Sequence, residues 1–104
     1  MFIRNVTLKL KKDAVKDFKR IAETEILPML RRQNGFRDEV LCIAPERLEA
    51  LAISFWDTKE VALAYEKTTY PNVVKSLANL VEGTPKVDTF ELSLSTLHKV
   101  AAKA

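Results

Sequence analysis

Cysteine, histidine and glycine are scarce in this chain of 104 residues, which contains one cysteine, one histidine and two glycines. Because Cys42 is alone, no disulfide can form within the chain, which excludes a disulfide-stabilised extracellular scaffold. One histidine and one cysteine are too few for a dedicated metal site built from those ligands. The sequence also offers no glycine-rich phosphate loop and no Ser-His-Asp or Cys-His arrangement. We therefore expect no metal site.

Long hydrophobic runs and a dominant charge sign are absent as well. No apolar run approaches the roughly 20 residues that span a bilayer, and no basic-then-apolar leader precedes the first predicted strand. The 17 basic residues are interleaved with 14 acidic ones, for a net charge of +3, whereas nucleic-acid-binding proteins usually cluster their basic residues on one face. These features favour a cytoplasmic protein that binds neither a membrane nor a nucleic acid.

The chain does contain enough apolar material for one modest core. Hydrophobic residues make up 47% and charged residues 30% of it, which is ordinary for a soluble globular protein. At this length folding buries roughly two-thirds of the surface of the unfolded chain. We predict a single domain over residues 1–104.

The first half of the chain shows a strand, a kinked helix and a stop signal. Apolar and polar residues alternate through 2–10, the pattern of a half-buried strand. Asp13 is placed to cap a helix over about 14–33, whose apolar residues recur at helical spacing. Pro28 removes one backbone donor and is expected to kink this helix near its last turns. Gly35 then suits the left-handed position that ends a helix.

The second half of the chain contains three strand patterns and two helix patterns. The predicted elements are strands at about 36–44, 48–56 and 87–97 and helices at about 59–67 and 72–82. Asp57 and Glu60 have the spacing of a capping box at the start of the first of these helices. Pro71 fits the first turn of the second helix, and Gly83 fits the position just past its end. The tail, 98–104, is expected to be frayed or helical.

The third predicted strand, 48–56, is apolar on both of its faces. One face carries Leu51, Ile53 and Phe55, and the other carries Ala50, Ala52, Ser54 and Trp56. An antiparallel sheet with helices on one side normally presents a polar second face to water. The apolar second face therefore indicates a partner that covers it, and a second copy of the same chain is the simplest such partner.

The predicted order, β-α-β-β-α-β, is used by two very different families, one of which is the RNA-recognition motif. The first strand, 1–6, superficially resembles one of the two RNA-binding strands of that motif. The other strand needs aromatic residues that stack on bases, but its stacking positions fall on Ala50 and Ala52. A methyl group cannot replace a stacked ring, which contributes about 1–3 kcal/mol per base. RNA binding is therefore disfavoured.

The chain more closely resembles the antibiotic biosynthesis monooxygenase superfamily over nearly its whole length. The resemblance rests on Leu27-Pro-Met-Leu30, Asn34-Gly-Phe36, Phe55-Trp-Asp57, the helical residues Glu60, Ala62 and Ala64, and Val87-Asp-Thr-Phe-Glu-Leu92. It implies a ferredoxin-like α+β protomer that dimerises through its sheet into an α+β barrel, with a small-molecule pocket between sheet and helices. Some members oxidise polycyclic aromatics or quinols with oxygen and no bound cofactor, and others bind and degrade heme.

The heme-degrading branch of that superfamily uses an asparagine on the first strand, a helical tryptophan and an axial histidine. Aligned on Trp56, this chain has Tyr65 at the tryptophan position and Lys75 at the histidine position. Asn5 is the candidate for the asparagine, although strand alternation groups it with Thr7 rather than with the apolar residues. Because an ammonium group does not replace an imidazole as an iron ligand, heme degradation is disfavoured.

Five residues are candidates for a site in the implied pocket. Arg4 shares strand parity with apolar Val6, so it either extends to solvent along its aliphatic stem or forms a pocket wall that steadies an anionic substrate or intermediate. The resemblance implies Asn5, Trp56 and Tyr65 as catalytic residues and Arg4 and Tyr70 as substrate-binding residues. Core packing is the alternative for Trp56 and Tyr65, since aromatic residues dominate cores as well.

The resemblance implies a cofactor-independent monooxygenase that acts on a small aromatic or quinol-type substrate. In that mechanism the pocket deprotonates or polarises an electron-rich phenol or quinol, whose carbanion-like form reacts with oxygen. The alternative is a non-catalytic dimer that binds or senses a small apolar ligand, because the sequence has no unambiguous acid, base or metal site. The sequence alone leaves both functions open.

Overall fold

The centre of the fold is a four-stranded antiparallel sheet in the order β2-β3-β1-β4. The computed structural model describes residues 1–98. The strands are β1 (Phe2–Leu10), β2 (Phe36–Ala44), β3 (Glu49–Trp56) and β4 (Val81–Glu91). The first strand therefore lies inside the sheet, with β3 on one side and β4 on the other.

Helices cover one face of this sheet. They are α1 (Val15–Ile21), a π-helical segment (Ala22–Ile26), α2 (Leu27–Arg31), α3 (Lys59–Thr68) and α4 (Tyr70–Leu77). The order of elements along the chain and of strands across the sheet is that of a ferredoxin-like α+β fold, which confirms the predicted fold class. Within residues 1–98 no helix is both long and apolar enough to cross a membrane.

The distortion predicted at Pro28 takes the form of the π-helical segment. The N–H of Leu27 bonds to the carbonyl of Ala22, five residues back. Proline has no N–H to donate, and its ring crowds the carbonyl four residues back, so a wider turn before it accommodates the lost bond. The predicted cap at Asp13 is wrong: this residue has a φ of 65°, and Ala14 is the N-cap without a side-chain hydrogen bond.

The cap of α3 is Thr58 rather than Asp57. The Thr58 Oγ1 accepts a hydrogen bond of 3.2 Å from the N–H of Val61, while both carboxylate oxygens of Asp57 accept hydrogen bonds from Arg37 on β2. The hydrogen bond to Arg37 lowers the pKa of Asp57. The predicted capping box is therefore wrong by one residue, because Asp57 is used in an ion pair between two elements.

The last strand begins at Val81 rather than at about 87. Val81 pairs with Leu10, and this long-range pairing replaces the helix that local apolar spacing predicts as far as 82. Gly83, expected just past the end of that helix, instead lies where the register between β1 and β4 shifts, with a φ of 68°. The strand ends at Glu91, so the predicted strand residues after it are not in a strand.

The two faces of the sheet differ in what covers them. The largest fully buried side chains, Trp56, Phe18 and Leu10, lie in the core between the sheet and the helices. The opposite surface, which we call the outer face, carries Ile3, Asn5, Val40, Leu51, Ile53, Phe55 and Phe90. The outer face therefore carries apolar side chains on each of the four strands, as the composition of the third strand predicted, together with the charged residues Asp38, Lys86 and Asp88 on the two edge strands.

Part of the chain after β4 returns to the outer face. The His98 ring lies 4.7 Å from the Phe55 ring, between centroids, and His98 Nε2 is 2.9 Å from Oδ2 of Asp38. The expectation of a frayed or helical tail otherwise concerns residues 99–104, which lie outside the described residues.

Candidate functional site

A cavity of about 490 Å³ lies between the sheet and the helices. This volume is within the range of small-molecule sites, and the cavity lies where the resemblance implies a pocket. Its aliphatic lining includes Val6, Leu8, Leu30, Leu41, Val73 and Leu77, and its polar lining includes Arg4, Glu39, Ser54, Tyr65 and Tyr70. The polar groups decide what the cavity can do chemically.

Arg4 lies in the wall of the cavity and is only 2% exposed. Side chains alternate along a strand, and Arg4 therefore shares the buried face of β1 with Val6. Its Nη2 is 3.3 Å from Oε1 of Glu66 on α3, a side chain that is 44% exposed. Its Nε is buried and has no hydrogen-bond acceptor among residues 1–98. The guanidinium is thus held in the pocket wall rather than in solvent, where, of the residues that the structure describes, its positive charge is paired only with the half-exposed Glu66.

Two tyrosines flank this guanidinium. The Arg4 Cζ is 5.2 Å from the ring centroid of Tyr65 and 4.5 Å from that of Tyr70, both within cation–π distance. Tyr65 belongs to α3 and Tyr70 begins α4, so the break between the helices at Thr69 brings the two rings to 6.2 Å. Burial raises the pKa of both phenols. Both tyrosines are therefore neutral near neutral pH.

Trp56 lies behind the cavity wall rather than in it. Its side chain is fully buried, and its ring centroid is 4.8 Å from that of Tyr65. Its Nε1 donates a hydrogen bond of 2.8 Å to the Oγ of Ser54, which does line the cavity. Trp56 can therefore act on a ligand only through Ser54 and Tyr65, as a positioning residue.

Asn5 is placed on the other side of the sheet from the four other predicted site residues. It pairs with Ile53 on β3 and Asp88 on β4, on the outer face. Its Oδ1 is buried and has no hydrogen-bond partner within the part of the chain that the structure describes. Because neighbouring side chains on a strand point to opposite faces, Asn5 and Arg4 cannot both face the cavity. This geometry does not support a role for Asn5 inside the cavity.

Glu39 is a cavity residue that the sequence analysis missed. It pairs with Ser54 across β2 and β3, and Ser54 pairs with Arg4 across β3 and β1, so the three form one row on the helix-covered face. Burial raises the pKa of Glu39 to about 8, and the charge of Arg4 partly opposes that rise. A signal was available, because Glu39 shares strand parity with apolar Leu41 just as Arg4 does with Val6.

The arrangement suits a flat aromatic ligand with an oxygen that carries negative charge. The aliphatic and tyrosine walls can bury the ring, and the positive charge of Arg4 in the cavity wall can stabilise the oxygen. Glu39 adds a titratable carboxyl group to the same cavity. Among residues 1–98 there is no group of three or more His, Cys, Asp or Glu residues placed to hold a metal ion.

Solved structures share this fold at low sequence identity. A monooxygenase from the gene ActVA-Orf6 of Streptomyces coelicolor, in complex with the ligand Nanaomycin D, matches with a TM-score of 0.77 and 14% identity over 94% of this chain and 92% of that one. A candidate antibiotic biosynthesis monooxygenase from Deinococcus radiodurans matches with a TM-score of 0.75 and 15% identity over 91% and 95%. A protein of unknown function from Nitrosomonas europaea matches with a TM-score of 0.72 and 17% identity over 94% of both chains.

No protein-family profile and no curated protein matches the chain. The structural matches therefore carry the comparison, and at such low identity they establish the fold and not the chemistry. The predicted resemblance is confirmed at that level: the chain has the ferredoxin-like α+β fold of the antibiotic biosynthesis monooxygenase structures.

Proposed function

We propose that this chain belongs to the antibiotic biosynthesis monooxygenase superfamily and oxidises a small aromatic or quinol-type substrate with molecular oxygen, without a bound cofactor. The observation that carries the proposal is the buried guanidinium of Arg4, which lies between Tyr65 and Tyr70 in the cavity wall. A fixed positive charge in a desolvated site stabilises an oxyanion far better than water does. The shared fold with a named monooxygenase supports the same reaction class.

The reaction class follows from what such a cavity does to an electron-rich phenol. Arg4 favours the ionised ring hydroxyl, because opposite charges attract strongly in a desolvated site. The ionised ring has carbanion character and can transfer electrons to oxygen. For a hydroquinone, one oxygen atom is added to the ring, the other leaves as water, and the ring becomes a hydroxyquinone. Tyr65 and Tyr70 hold the ring in position.

Oxygen uptake with a panel of hydroquinones tests this function. The wild type is expected to consume oxygen faster than the uncatalysed reaction, and Arg4→Leu to lose this excess at least tenfold, about 1.4 kcal/mol of barrier. The melting temperature of Arg4→Leu should be equal to or above that of the wild type, since replacing a weakly paired buried charge with an apolar side chain is neutral or stabilising. The matched control is Arg47→Leu, which removes an exposed arginine and should leave uptake unchanged.

Two results of this assay would contradict the proposal. Uptake that never exceeds the uncatalysed rate across the panel would exclude the monooxygenase. An Arg4→Leu protein that does not fold would show that Arg4 is structural rather than substrate-binding.

A second candidate function is non-catalytic binding of a small apolar ligand in the same cavity. The predominantly aliphatic walls favour it, because they bury a ligand without any need for chemistry. This candidate predicts no oxygen uptake, but quenching of Trp56 fluorescence by the same aromatic compounds. Trp56 is a suitable reporter because its ring stacks on Tyr65 in the cavity wall.

We further propose that the protein is a homodimer that pairs through the outer face to form an α+β barrel. This face carries apolar side chains on each of its four strands, and at its edges Val40 is 40% and Phe90 54% exposed. Contiguous apolar patches on a protein surface mark interaction sites, and a second copy presents the matching patch. A cytoplasmic location stays a prediction from the sequence.

A further inference from the structure

We propose that Glu39 accepts the proton of the substrate's ring hydroxyl, and that the substrate is therefore an aromatic compound whose ionisable hydroxyl lies between Glu39 and Arg4. This inference rests on the proposed function and narrows its substrate class. It selects phenols and quinols over aromatic hydrocarbons, which have no such proton, and over aromatic carboxylates, which have already lost theirs.

Glu39 and Arg4 stand at the two ends of one row of side chains on the helix-covered face of the sheet. Glu39 pairs with Ser54, and Ser54 pairs with Arg4, across three adjacent strands. Neighbouring strands lie about 4.8 Å apart, so the two backbone positions are about 10 Å apart. Among the described residues, Arg4 forms its salt bridge with Glu66 on α3 and not with Glu39. The row therefore leaves room for a ligand oxygen between the carboxyl and the guanidinium.

Ser54 occupies the middle of this row. Its side chain is 5% exposed and lines the cavity. Its Oγ accepts the hydrogen bond from Trp56 Nε1 at 2.8 Å, which leaves the hydroxyl hydrogen available to donate. The row thus presents a proton acceptor, a hydroxyl donor and a cation in that order. A ring oxygen that gives its proton to Glu39 is stabilised by Ser54 and Arg4 on its other side.

The burial of Glu39 gives this group a suitable strength as a base. A phenol has a pKa of about 10 and an exposed glutamate one of about 4.3, so proton transfer between them is unfavourable by roughly five-hundred-thousandfold. Burial raises the pKa of Glu39 to about 8, which reduces that factor to roughly a hundredfold. The positive charge of Arg4 stabilises the phenolate and so offsets the remaining, roughly hundredfold, penalty on proton transfer.

The step itself is a single proton transfer. The O–H bond of the ring breaks, an O–H bond forms on the Glu39 carboxylate, and the electron pair stays on the ring oxygen. The ring is then oxidised by molecular oxygen as described above, and Glu39 returns its proton to the water that the reaction releases. Atoms and electrons therefore balance with oxygen as the sole oxidant.

Several charged and titratable groups face the same cavity. They are Arg4 from β1, Tyr65 from α3, Tyr70 from α4, and Lys19, Arg20 and Glu23 from the first helical stretch. Arg31 on α2 and Glu39's strand neighbours Arg37 and Asp38 border Glu39 on its other side. Of these groups, Arg4 is the one whose charge shifts the pKa of Glu39. The titration of Glu39 should therefore respond to Arg4 and to a bound anion.

The number of protons taken up when a phenolate binds tests this assignment without any oxygen chemistry. The probe is para-nitrophenol at about pH 9, one unit above the pKa of about 8 for Glu39, where both groups are ionised. A phenolate beside an ionised Glu39 is repelled, so binding should draw one proton onto the pair. Calorimetric titration in buffers of different protonation enthalpy counts that proton.

The wild type should take up close to one proton per bound para-nitrophenol, and Glu39→Gln none. Glu46→Gln, a matched change in an exposed turn, should behave as the wild type does. The uptake in the wild type should also vanish about two units below the Glu39 pKa, where the carboxyl already carries its proton. Glu39→Gln should in addition lower hydroquinone turnover roughly a hundredfold or more, as the loss of a general base does.

Binding without proton uptake, or with equal uptake in Glu39→Gln, would overturn the role of Glu39 while leaving the pocket intact. Failure of the wild type to bind para-nitrophenol at all would overturn both the role of Glu39 and the proposed binding of aromatic compounds in the cavity. Proton uptake by Glu39 in a protein that consumes no oxygen would support the binding geometry and contradict only the monooxygenase.

Discussion

Glu39 and Arg4 are charged residues on the helix-covered face of the sheet, and they adapt to burial differently. A guanidinium keeps its charge at any relevant pH, and Arg4 is stabilised by Glu66 and by the faces of two tyrosine rings. Glu39 instead holds a proton more tightly, because burial raises its pKa to about 8. At neutral pH the cavity therefore contains a cation beside a carboxyl group that is only partly ionised, which favours an anionic ligand. The fraction of Glu39 that can accept a proton grows as the pH approaches 8.

The raised pKa of Glu39 predicts a stability that falls as pH rises. In the unfolded chain this carboxyl has a pKa near 4.5, so between that pH and about 8 the native state binds a proton that the unfolded state has lost. The free energy of unfolding should therefore decrease across this window and level off above it. Glu39→Gln removes the effect, so at about pH 9 the variant should be more stable than the wild type by about 3–5 kcal/mol, at roughly 1.4 kcal/mol per pKa unit.

Urea unfolding of both proteins at about pH 9 and about pH 5 measures this difference. At the lower pH the two should agree within about 1 kcal/mol, because Glu39 is then protonated in the native state and pH 5 is only about half a unit above its unfolded pKa of 4.5. Glu46→Gln should show no gap at either pH. If the free energies of unfolding of the variant and the wild type differed equally at both pH values, the substitution would be acting through packing around residue 39 and not through its protonation.

At the scale of the elements, the turn between α2 and β2 sets how closely α3 approaches the sheet. Gly35 in this turn has a φ of 78°, and a Cβ added there would lie 2.5 Å from Cγ2 of Val61 on α3. The carbonyl of Gly35 also accepts a hydrogen bond of 2.8 Å from the N–H of Asp57, just before α3 begins. One residue therefore combines a left-handed backbone, a close approach to a helix and a bond that holds the start of that helix.

The two glycines of the chain provide a matched test of this close approach. Gly35→Ala should lower the free energy of unfolding by about 2–5 kcal/mol, since the strain of about 1–2 kcal/mol for a left-handed alanine adds to a steric cost of about 1–3 kcal/mol. Gly83 has a similar φ of 68°, but no neighbouring atom of residues 1–98 lies within 4 Å of an added Cβ. Gly83→Ala should therefore show the backbone strain alone.

Chemical denaturation of the two glycine variants gives both values. Equal losses at Gly35 and Gly83 would show that contact with Val61 adds nothing and that α3 can move away. A further variant, Val61→Ala in the Gly35→Ala background, should recover part of the loss, because it removes the Cγ atoms that the new methyl group meets.

At the scale of the whole molecule, the outer face is the surface through which the proposed dimer would pair. Helices cover the opposite side of the sheet. The outer face presents several apolar side chains, among them Val40, Ile53, Phe55 and Phe90. Of the residues that the structure describes after β4, His98 contacts this face, at Phe55. An uncovered apolar sheet face in water favours association. The proposed dimer would leave both cavities intact, because they lie on the helix-covered sides of the two sheets.

The dimer predicts that a charge on the outer face weakens association. Val40→Lys should raise the dimer dissociation constant at least tenfold, about 1.4 kcal/mol, because the interface would bury an unpaired ammonium group. The matched control is Leu63→Lys on α3, since Leu63 is 45% and Val40 40% exposed. Sedimentation velocity over a range of concentrations measures both. A wild type that stays monomeric, or equal weakening by both variants, would contradict pairing through this face.

Local patterns predicted the fold well wherever the deciding interactions are close in sequence. The alternation through β1, the distortion before Pro28 and the stop at Gly35 all depend on neighbouring residues, and all three are found. The start of β4 was mispredicted because its pairing with β1, across some seventy residues, outweighs a helical apolar spacing. The cap of α3 was misassigned for the same reason, since Asp57 bonds to Arg37 on another strand.

The same division applies to the site. The sequence by itself determined that Arg4 shares a face with the core residues of β1 and that Asn5 does not, because side chains alternate along any strand. Only the tertiary structure decided that Trp56 lies behind the wall, that Tyr65 and Tyr70 enclose the guanidinium, and that Glu39 and Ser54 align with Arg4. That alignment depends on the register of three strands and on a break between two helices, and these are set by packing between segments far apart in the chain.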